Sequence, residues 1–322
     1  MNSDKAYKVM LGLLMCIAVA GCGVQKQEAA STTWYVSNNV SGESDGLSWD
    51  SAFTHPQDAV DSAQTGDRIW VSQGTYSLRE SGDEILLRLK EGVAVLGGFT
   101  GTEVWEMQRI PRMFTTVLDG GFLAYHVVNG ANGALLDGFT ITGGNADGVH
   151  ENSAGGGMIN LSSSPTIENC VFLDNSALVK GGGIFNKEGS PTLIDCVFQG
   201  NTAQYGGAIE NYRASPTVIN TVFRENRSAQ NGGAVSNYFG SPEFINCTFS
   251  GNRTTFSGGA VFNYNGTGTF TNCTFTGNRS EQKGGAIGSL NSELRLTNCI
   301  LWRNISPEQS EISAYGSDAK IT

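Results

Sequence analysis

From residue 155 onward the apolar and polar positions of the chain recur on one clock. Gly-Gly pairs begin at Gly155, Gly181, Gly206, Gly232, Gly258 and Gly284, so successive starts lie 26, 25, 26, 26 and 26 residues apart. An apolar column (Phe172, Phe198, Phe223, Phe249, Phe275, Leu301) and an asparagine column (Asn175, Asn201, Asn226, Asn252, Asn278, Asn304) keep the same period. A fixed repeat of this length dictates architecture before any local propensity does. The unit is too short for the two helices of most helical repeats. Its β-branched, aromatic, Asn and Gly content calls for short strands joined by turns. Leucine-rich repeats have a similar length, but their closely spaced leucines are missing. The pattern therefore predicts an all-β fold: a single-stranded solenoid, the right-handed parallel β-helix, with one coil per repeat of about 26 residues and each strand paired to its equivalent in the next coil.

The columns assign faces. Leu193, with Ile167, Val218, Phe244, Phe270 and Leu296 as equivalents, points inward, and so do Cys196 and Phe198, two residues apart. Leu193 and Cys196 are three apart, which strict alternation forbids, so the backbone must bend between them. The residue at the bend is Asp195, matched by Asn169, Asn220, Asn246, Asn272 and Asn298, and Asn and Asp tolerate left-handed geometry best among non-glycine residues. These side chains are expected to stack as an amide ladder. The Gly-Gly pair marks another turn, after which Ile184, Ile209, Val235, Val261 and Ile287 return inward. Each coil then buries about four apolar side chains, roughly 6 to 12 kcal/mol of gross transfer energy before chain entropy is subtracted, so no coil stands alone. Cys170, Cys196, Cys247, Cys273 and Cys299 share one inward column, interrupted by Thr221. In-register side chains about 4.8 Å apart sit wider than a disulfide's Cβ separation, and a single file of thiols cannot surround a zinc ion. Buried free thiols are the expectation.

Residues 32–145 read as an N-terminal cap and first irregular coils, and residues 146–322 as the regular repeats with an incomplete last coil. "HPQDAVDSA" (55–63) predicts a short amphipathic helix that plugs the end of the solenoid with Ala59, Val60 and Ala63. "DRIWV", "EILLRL" and "VAVLGGF" predict strands. "EISAYGSDAKIT" at the C-terminus reads as another coil stopping in mid-strand, expected to be truncated or covered by a partner that caps it.

The first residues have a different character. Lys5 and Lys8 precede an apolar run, Val9 to Ala20, of about twelve residues, too short to span a bilayer. It ends in Val19-Ala20-Gly21-Cys22, which resembles the lipobox of bacterial lipoproteins. The resemblance implies a signal over residues 1–22 and lipidation at Cys22, followed by a polar tether (23–31) and a membrane contact made through the lipid alone. The chain carries 20 Lys and Arg against 30 Asp and Glu. Without Lys5, Lys8 and Asp4 the balance becomes 18 against 29, or −11, which offers nucleic acid no basic field.

"WYVSNNVSGESDGLSWDSAF", "GDRIWVSQGTYSL", "LGGFTGTE" and "LLDGFTITGGNADG" resemble the entry region and first coil of bacterial right-handed parallel β-helix repeat proteins. The paired "GGA[IV]" and "FxxN" elements are similar to repeats of the chlamydial polymorphic outer-membrane proteins. The likeness covers residues 33 to 315 and implies a surface protein. No C-terminal barrel follows, a departure from autotransporter-like members, so Cys22 is expected to anchor the chain at the outer membrane or cell surface.

Chemistry is sparse by comparison. Parallel β-helices include polysaccharide lyases and hydrolases, which makes such an enzyme the alternative reading, but fold does not grant activity. "NADGVH" (145–150) resembles an Asp-bearing polygalacturonase motif without its further acids. "RIPR" (109–112) begins like a pectate-lyase motif whose last Arg is here Phe114. His55, His126 and His150 lack a nucleophile partner or metal-ligand spacing. Glu210 is the best lone acid and is expected to be a solvated surface carboxylate. No calcium-binding or cofactor motif is present, and calcium in the "DG" loops has no more than composition behind it. Exposed residues offer more. Tyr212, Tyr238 and Tyr264 recur once per coil with Arg213 beside the first, a ribbon that could offer rings to sugars or another surface ligand, or whose rings stack on one another and shield the turns. Arg227, Arg253 and Arg279 form a second column just beyond the asparagines, one that could meet anionic glycans or simply solvate the turn. The reading is a lipid-anchored, non-enzymatic binding or adhesion protein.

Overall fold

The computed structural model describes residues 31–40, 44–80, 84–308 and 311–322. Residues 31–322 form one unit. The signal, Cys22 and all of the tether but Ser31 lie outside the described residues.

Among the described residues every strand pairing is parallel, and, apart from Thr33–Val36 and Arg68–Ser72, which pair with each other, sequence neighbours fall in different sheets. One sheet has eleven strands running from Thr33–Val36 to Asp318–Ile321, two have nine, and a fourth has six. In the regular coils the pairing follows the repeat residue for residue: Val197, Phe198 and Gln199 stand under Val222, Phe223 and Arg224, which stand under Thr248, Phe249 and Ser250. This is the parallel β-helix that the period predicts. The last coil follows the same register, with Ile312–Tyr315 on Ile287–Leu290 and Asp318–Ile321 on Glu293–Thr297.

Stacking like on like fills the bore. Phe172, Phe198, Phe223, Phe249 and Phe275 form a file of near-parallel rings with centroids 4.7, 5.1, 4.8 and 4.6 Å apart. All five are fully buried. Cys170, Cys196, Cys247 and Cys273 are buried free thiols and Cys299 is half-buried and free, as the column predicts. Their Sγ atoms donate to carbonyls of the coil below, for example Cys247 to Val218 at 3.4 Å. Thr221 keeps the file in step by donating to the Ile219 carbonyl at 3.0 Å.

The bend falls where expected. Asn169, Asp195, Asn220, Asn246, Asn272 and Asn298 all have φ between 49° and 55°. Their amides link coil to coil from Asn220 to Asn298, while Asp195, which has no amide donor, interrupts the series. Two further ladders are buried inside. In one, Asn160, Asn186, Asn211, Asn237 and Asn263 pass Nδ2 to Oδ1 bonds of 2.8 Å upward. In the other, the column from Asn175 to Asn304, each Oδ1 from Asn201 upward accepts both the backbone N–H and the Nδ2 of the asparagine below. The first glycine of each Gly-Gly pair is left-handed: Gly181 has φ 57°, and a Cβ there would sit 2.0 Å from the Ile184 carbonyl oxygen. That glycine lets the chain fold back tightly over the strand that follows.

The N-terminal helix is Pro56–Ser62, capped by His55 Nδ1 accepting from the Gln57 N–H at 3.1 Å, with Pro56 at its first turn. Ala59, Val60 and Ala63 are buried against the first coils as predicted. Among the described residues no helix is long and apolar enough to cross a membrane.

Candidate functional site

Two surfaces gather chemistry, and the first is the one the tyrosine column predicts. Strands Ile184–Lys187, Ile209–Tyr212, Val235–Tyr238 and Val261–Tyr264 pair in register. Their second residues, Phe185, Glu210, Ser236 and Phe262, point away from the bore. The preceding arms run above this outer face through the bridges between Lys180 and Tyr205 and between Asn231 and Ser257. The Gly-Gly turn folds each arm back, so the outer face becomes a second, smaller interior.

Glu210 is consequently 1% exposed, which corrects the expectation of a solvated carboxylate. Alternation gave the side its side chain takes; the arm decided what lies on that side. Burial lifts the Glu210 pKa to about 8, against weaker pulls from the Ser236 hydroxyl and the Lys180 charge. Glu210 Oε2 and Ser236 Oγ are both buried without a hydrogen-bond partner. Glu210 is thus a neutral acid at neutral pH, closed off from any substrate.

The tyrosines stand at the rim of this roofed face. Each is half-buried rather than fully exposed. Tyr238 lies 5.4 Å from Tyr264 and 6.0 Å edge-on to Tyr205, and Phe239 fills between Tyr212 and Tyr264 at 5.9 and 5.5 Å. Burial, then the neighbouring Glu210, push the Tyr238 hydroxyl up to about 12. Around Tyr212 the ribbon turns cationic: Lys180 Nζ is 4.9 Å from its ring centroid and 5.3 Å from that of Phe185, and the Arg213 guanidinium is 5.5 Å away. Arg213 also reaches Glu188 at 3.9 Å. Below Tyr212 opens a cleft of about 470 Å³ lined by His150, Glu151, Lys180 and Lys187. Glu151 pairs with Lys187 at 3.6 Å, whereas Lys180 takes part in no ion pair among the described residues.

The second surface escaped the sequence reading. Between strands Ala94–Phe99 and Thr116–Asp119 a loop leaves the solenoid and returns. Gln108 Oε1 accepts the N–H groups of Val104 and Trp105, both at 2.8 Å, which pins the loop and turns its apolar side chains outward. Trp105 is 69% and Met107 89% exposed. Under them lies a groove of about 890 Å³ lined by Arg68, Trp105, Glu106, Met107, Arg112 and Asn169. Arg68 grips Glu106 in a two-pronged pair at 2.5 and 2.6 Å, and Arg109 pairs closely with Asp137, which also accepts from Asn169 at 2.9 Å. Glu168, in the coil above Asp137, is held above the usual carboxylate range by partial burial and by Asp137, with Arg109 opposing. A run of large apolar residues with no period, "VWEMQRIPRM", was the available signal, since such residues elsewhere sit in inward columns.

Other candidates fall away. His126 is buried with Nδ1 3.0 Å from the Gly155 carbonyl oxygen, and burial lowers its pKa. His150 sits in an exposed turn with φ 56°. Among the described residues no group of three or more His, Cys, Asp or Glu is placed to hold a metal ion.

The family model of the Chlamydia polymorphic membrane protein repeat matches residues 169–187, 195–212, 246–264 and 272–289. No curated protein matches the chain. Among solved structures, a rhamnogalacturonan lyase is similar at 11% identity and a TM-score of 0.44, over 89% of this chain and 87% of that one. The pectate lyase Pel9A is similar at 14% and 0.43, over 91% and 79%. A pectin methylesterase from Aspergillus niger is similar at 12% and 0.43, over 89% and 91%. At such identities the likeness extends no further than the fold.

Proposed function

We propose that this β-helix, which carries repeats of the Chlamydia polymorphic membrane protein kind, is displayed at a cell surface and holds glycan chains there without cleaving them. The observation that carries the reading is Trp105, a large ring fixed 69% exposed over a groove rimmed with arginine and carboxylate groups. An amphipathic ring beside charged donors and acceptors suits the apolar face and hydroxyl edge of a sugar. The ribbon of Tyr212, Tyr238 and Tyr264 with Arg213 extends the contact along the rod, half-buried rings giving stiffness and their edges giving area. Glu210 takes no part, being shut away. Lipidation of Cys22 would hold the rod at the membrane, and the repeat itself hints at a surface or outer-membrane protein.

The purified protein is to be presented with plant, algal and host glycans while bound and released sugar are both measured. Retention without new reducing or unsaturated ends is expected, with Trp105→Ala weakening it about tenfold. Replacing Tyr238 and Tyr264 together by Ala tests the ribbon separately. Released fragments would instead establish a polysaccharide lyase or hydrolase, the reading favoured by the raised pKa of Glu168 beside the groove. Cys22→Ser is expected to free the protein from the membrane fraction.

A further inference from the structure

The six-stranded sheet carries a surface that neither the groove nor the tyrosine ribbon uses. Thr202, Arg227, Arg253 and Arg279 stand in register on the strands Thr202–Tyr205, Arg227–Asn231, Arg253–Thr254 and Arg279–Ser280. All three arginines are exposed. Coils lie about 4.8 Å apart, so three guanidinium groups rise in file at about that spacing. Among the described residues none of them joins an ion pair. The platform beneath is fixed, because the next residues, Ser228, Thr254 and Ser280, are buried and Ser228 and Thr254 share a hydroxyl bond of 2.8 Å.

Like charges directly opposite on neighbouring strands repel. A file built for stability alone would alternate sign or be neutral, and this one is conspicuous in a chain of net charge −10. Space lies beside it: a cleft of about 540 Å³ is bounded by Thr202, Glu225, Arg227 and Arg253, with Gly200 and Gly251 at the corner. Across that corner the outward residues of the adjoining sheet are Arg224, Ser250, Thr276 and Trp302, again in register. Arg224 is engaged by Gln199 at 2.9 and 2.5 Å. Trp302 is 60% exposed, with the Arg303 guanidinium 5.7 Å from its ring.

We propose that this corner binds a linear anionic glycan lying along the solenoid axis. Its carboxylate or sulfate groups meet Arg227, Arg253 and Arg279, and its sugar rings face Ser250, Thr276 and Trp302. Charges that recur at about 4.8 Å or a multiple of it match the coil spacing and relieve the repulsion within the file. A nucleic acid fits worse: its dense phosphates meet the protein's overall negative field, and this corner sets one exposed ring, Trp302, beside Ser250 and Thr276 where stacking bases would need a ladder. The site is independent of the groove under Trp105, so either can fail without the other.

The experiment measures binding of polygalacturonate, dextran sulfate, unmodified dextran and duplex DNA to the full chain at low and high salt. The wild-type protein is compared with the triple variant Arg227→Gln, Arg253→Gln, Arg279→Gln and with Trp105→Ala. One or both anionic glycans bind, more weakly as salt rises, and the triple variant loses at least about tenfold in affinity, whereas a loss in Trp105→Ala with the triple variant unchanged assigns the binding to the groove and overturns the proposal. Which of the two binds separates carboxylate from sulfate as the charge recognised. The replaced side chains are exposed and unpaired, so the triple variant folds and melts no lower than wild type. The anionic glycan raises the melting temperature of the wild type and not of the variant. Unchanged affinity in the triple variant, failure of both anionic glycans to bind, or tighter binding of DNA than of either glycan overturns the proposal.

Discussion

Replacing Glu210 by Gln tests the interior that the returning arms create. Ionised in the unfolded chain above about pH 4.5, Glu210 stays neutral in the fold until its folded pKa of about 8. Between those values the folded state binds the extra proton, so stability is fully present below about 4.5 and is lost as pH rises toward 8. The interval is 8 − 4.5 = 3.5 pK units. At about 1.4 kcal/mol per unit this is about 5 kcal/mol in all, of which about 3 kcal/mol is lost by pH 7. Glutamine keeps the shape and never ionises. Glu210→Gln is therefore expected to match the wild type near pH 4, to exceed it by about 3 kcal/mol near pH 7 and by about 5 kcal/mol near pH 9. Urea unfolding followed by tryptophan fluorescence across that range reads the difference, and hydrogen exchange at the amides of Ile209–Tyr212 places it on the right coil. A difference that does not change with pH would refute the burial of this carboxyl and, with it, the claim that the arms seal the outer face.

Other consequences can be measured directly. The Asn226 side chain accepts from the N–H and Nδ2 of Asn201 and donates to Phe198 and Asn252, all at 3.0 Å, so Asn226→Ala removes four buried hydrogen bonds and should cost at least about 3 kcal/mol in urea unfolding. Asn226→Asp, lacking the two donor hydrogens, should not restore it. Phe249→Ala opens the ring file between Phe223 and Phe275 and should cost about 3–5 kcal/mol by the same measurement. Burial lifts the Cys196 thiol to about 12 and raises that of Cys170 as well. Mass spectrometry should therefore find neither alkylated by iodoacetamide near pH 8 until the protein is unfolded.

The resemblance between sequence and structure is uneven for a reason visible in particular residues. Phe172 to Phe275 could be placed because a fixed period makes every residue the vertical neighbour of its equivalent, and burial in the bore follows from alternation over three or four positions. The left-handed backbone at Asp195 was legible in the same way, from two inward residues spaced three apart. Asn186 and its column could also have been read as a buried ladder, since each stands two residues after Ile184, Ile209, Val235 or Val261 and so shares that inward face. Trp105 could not be placed. Its loop has no period, and its orientation depends on Gln108 gripping two backbone N–H groups from inside the same loop.

The chain alone therefore determined the solenoid, its register and the contents of its bore, because stacking turns sequence distance into vertical distance. Only the tertiary structure decided that Glu210 is sealed and neutral, that the tyrosines are half-sunk, and that arginines from residues 68, 109 and 112 converge on one groove. Those facts depend on which segment lies over which outer face, and alternation, which sorts inside from outside, carries no information about what covers the outside.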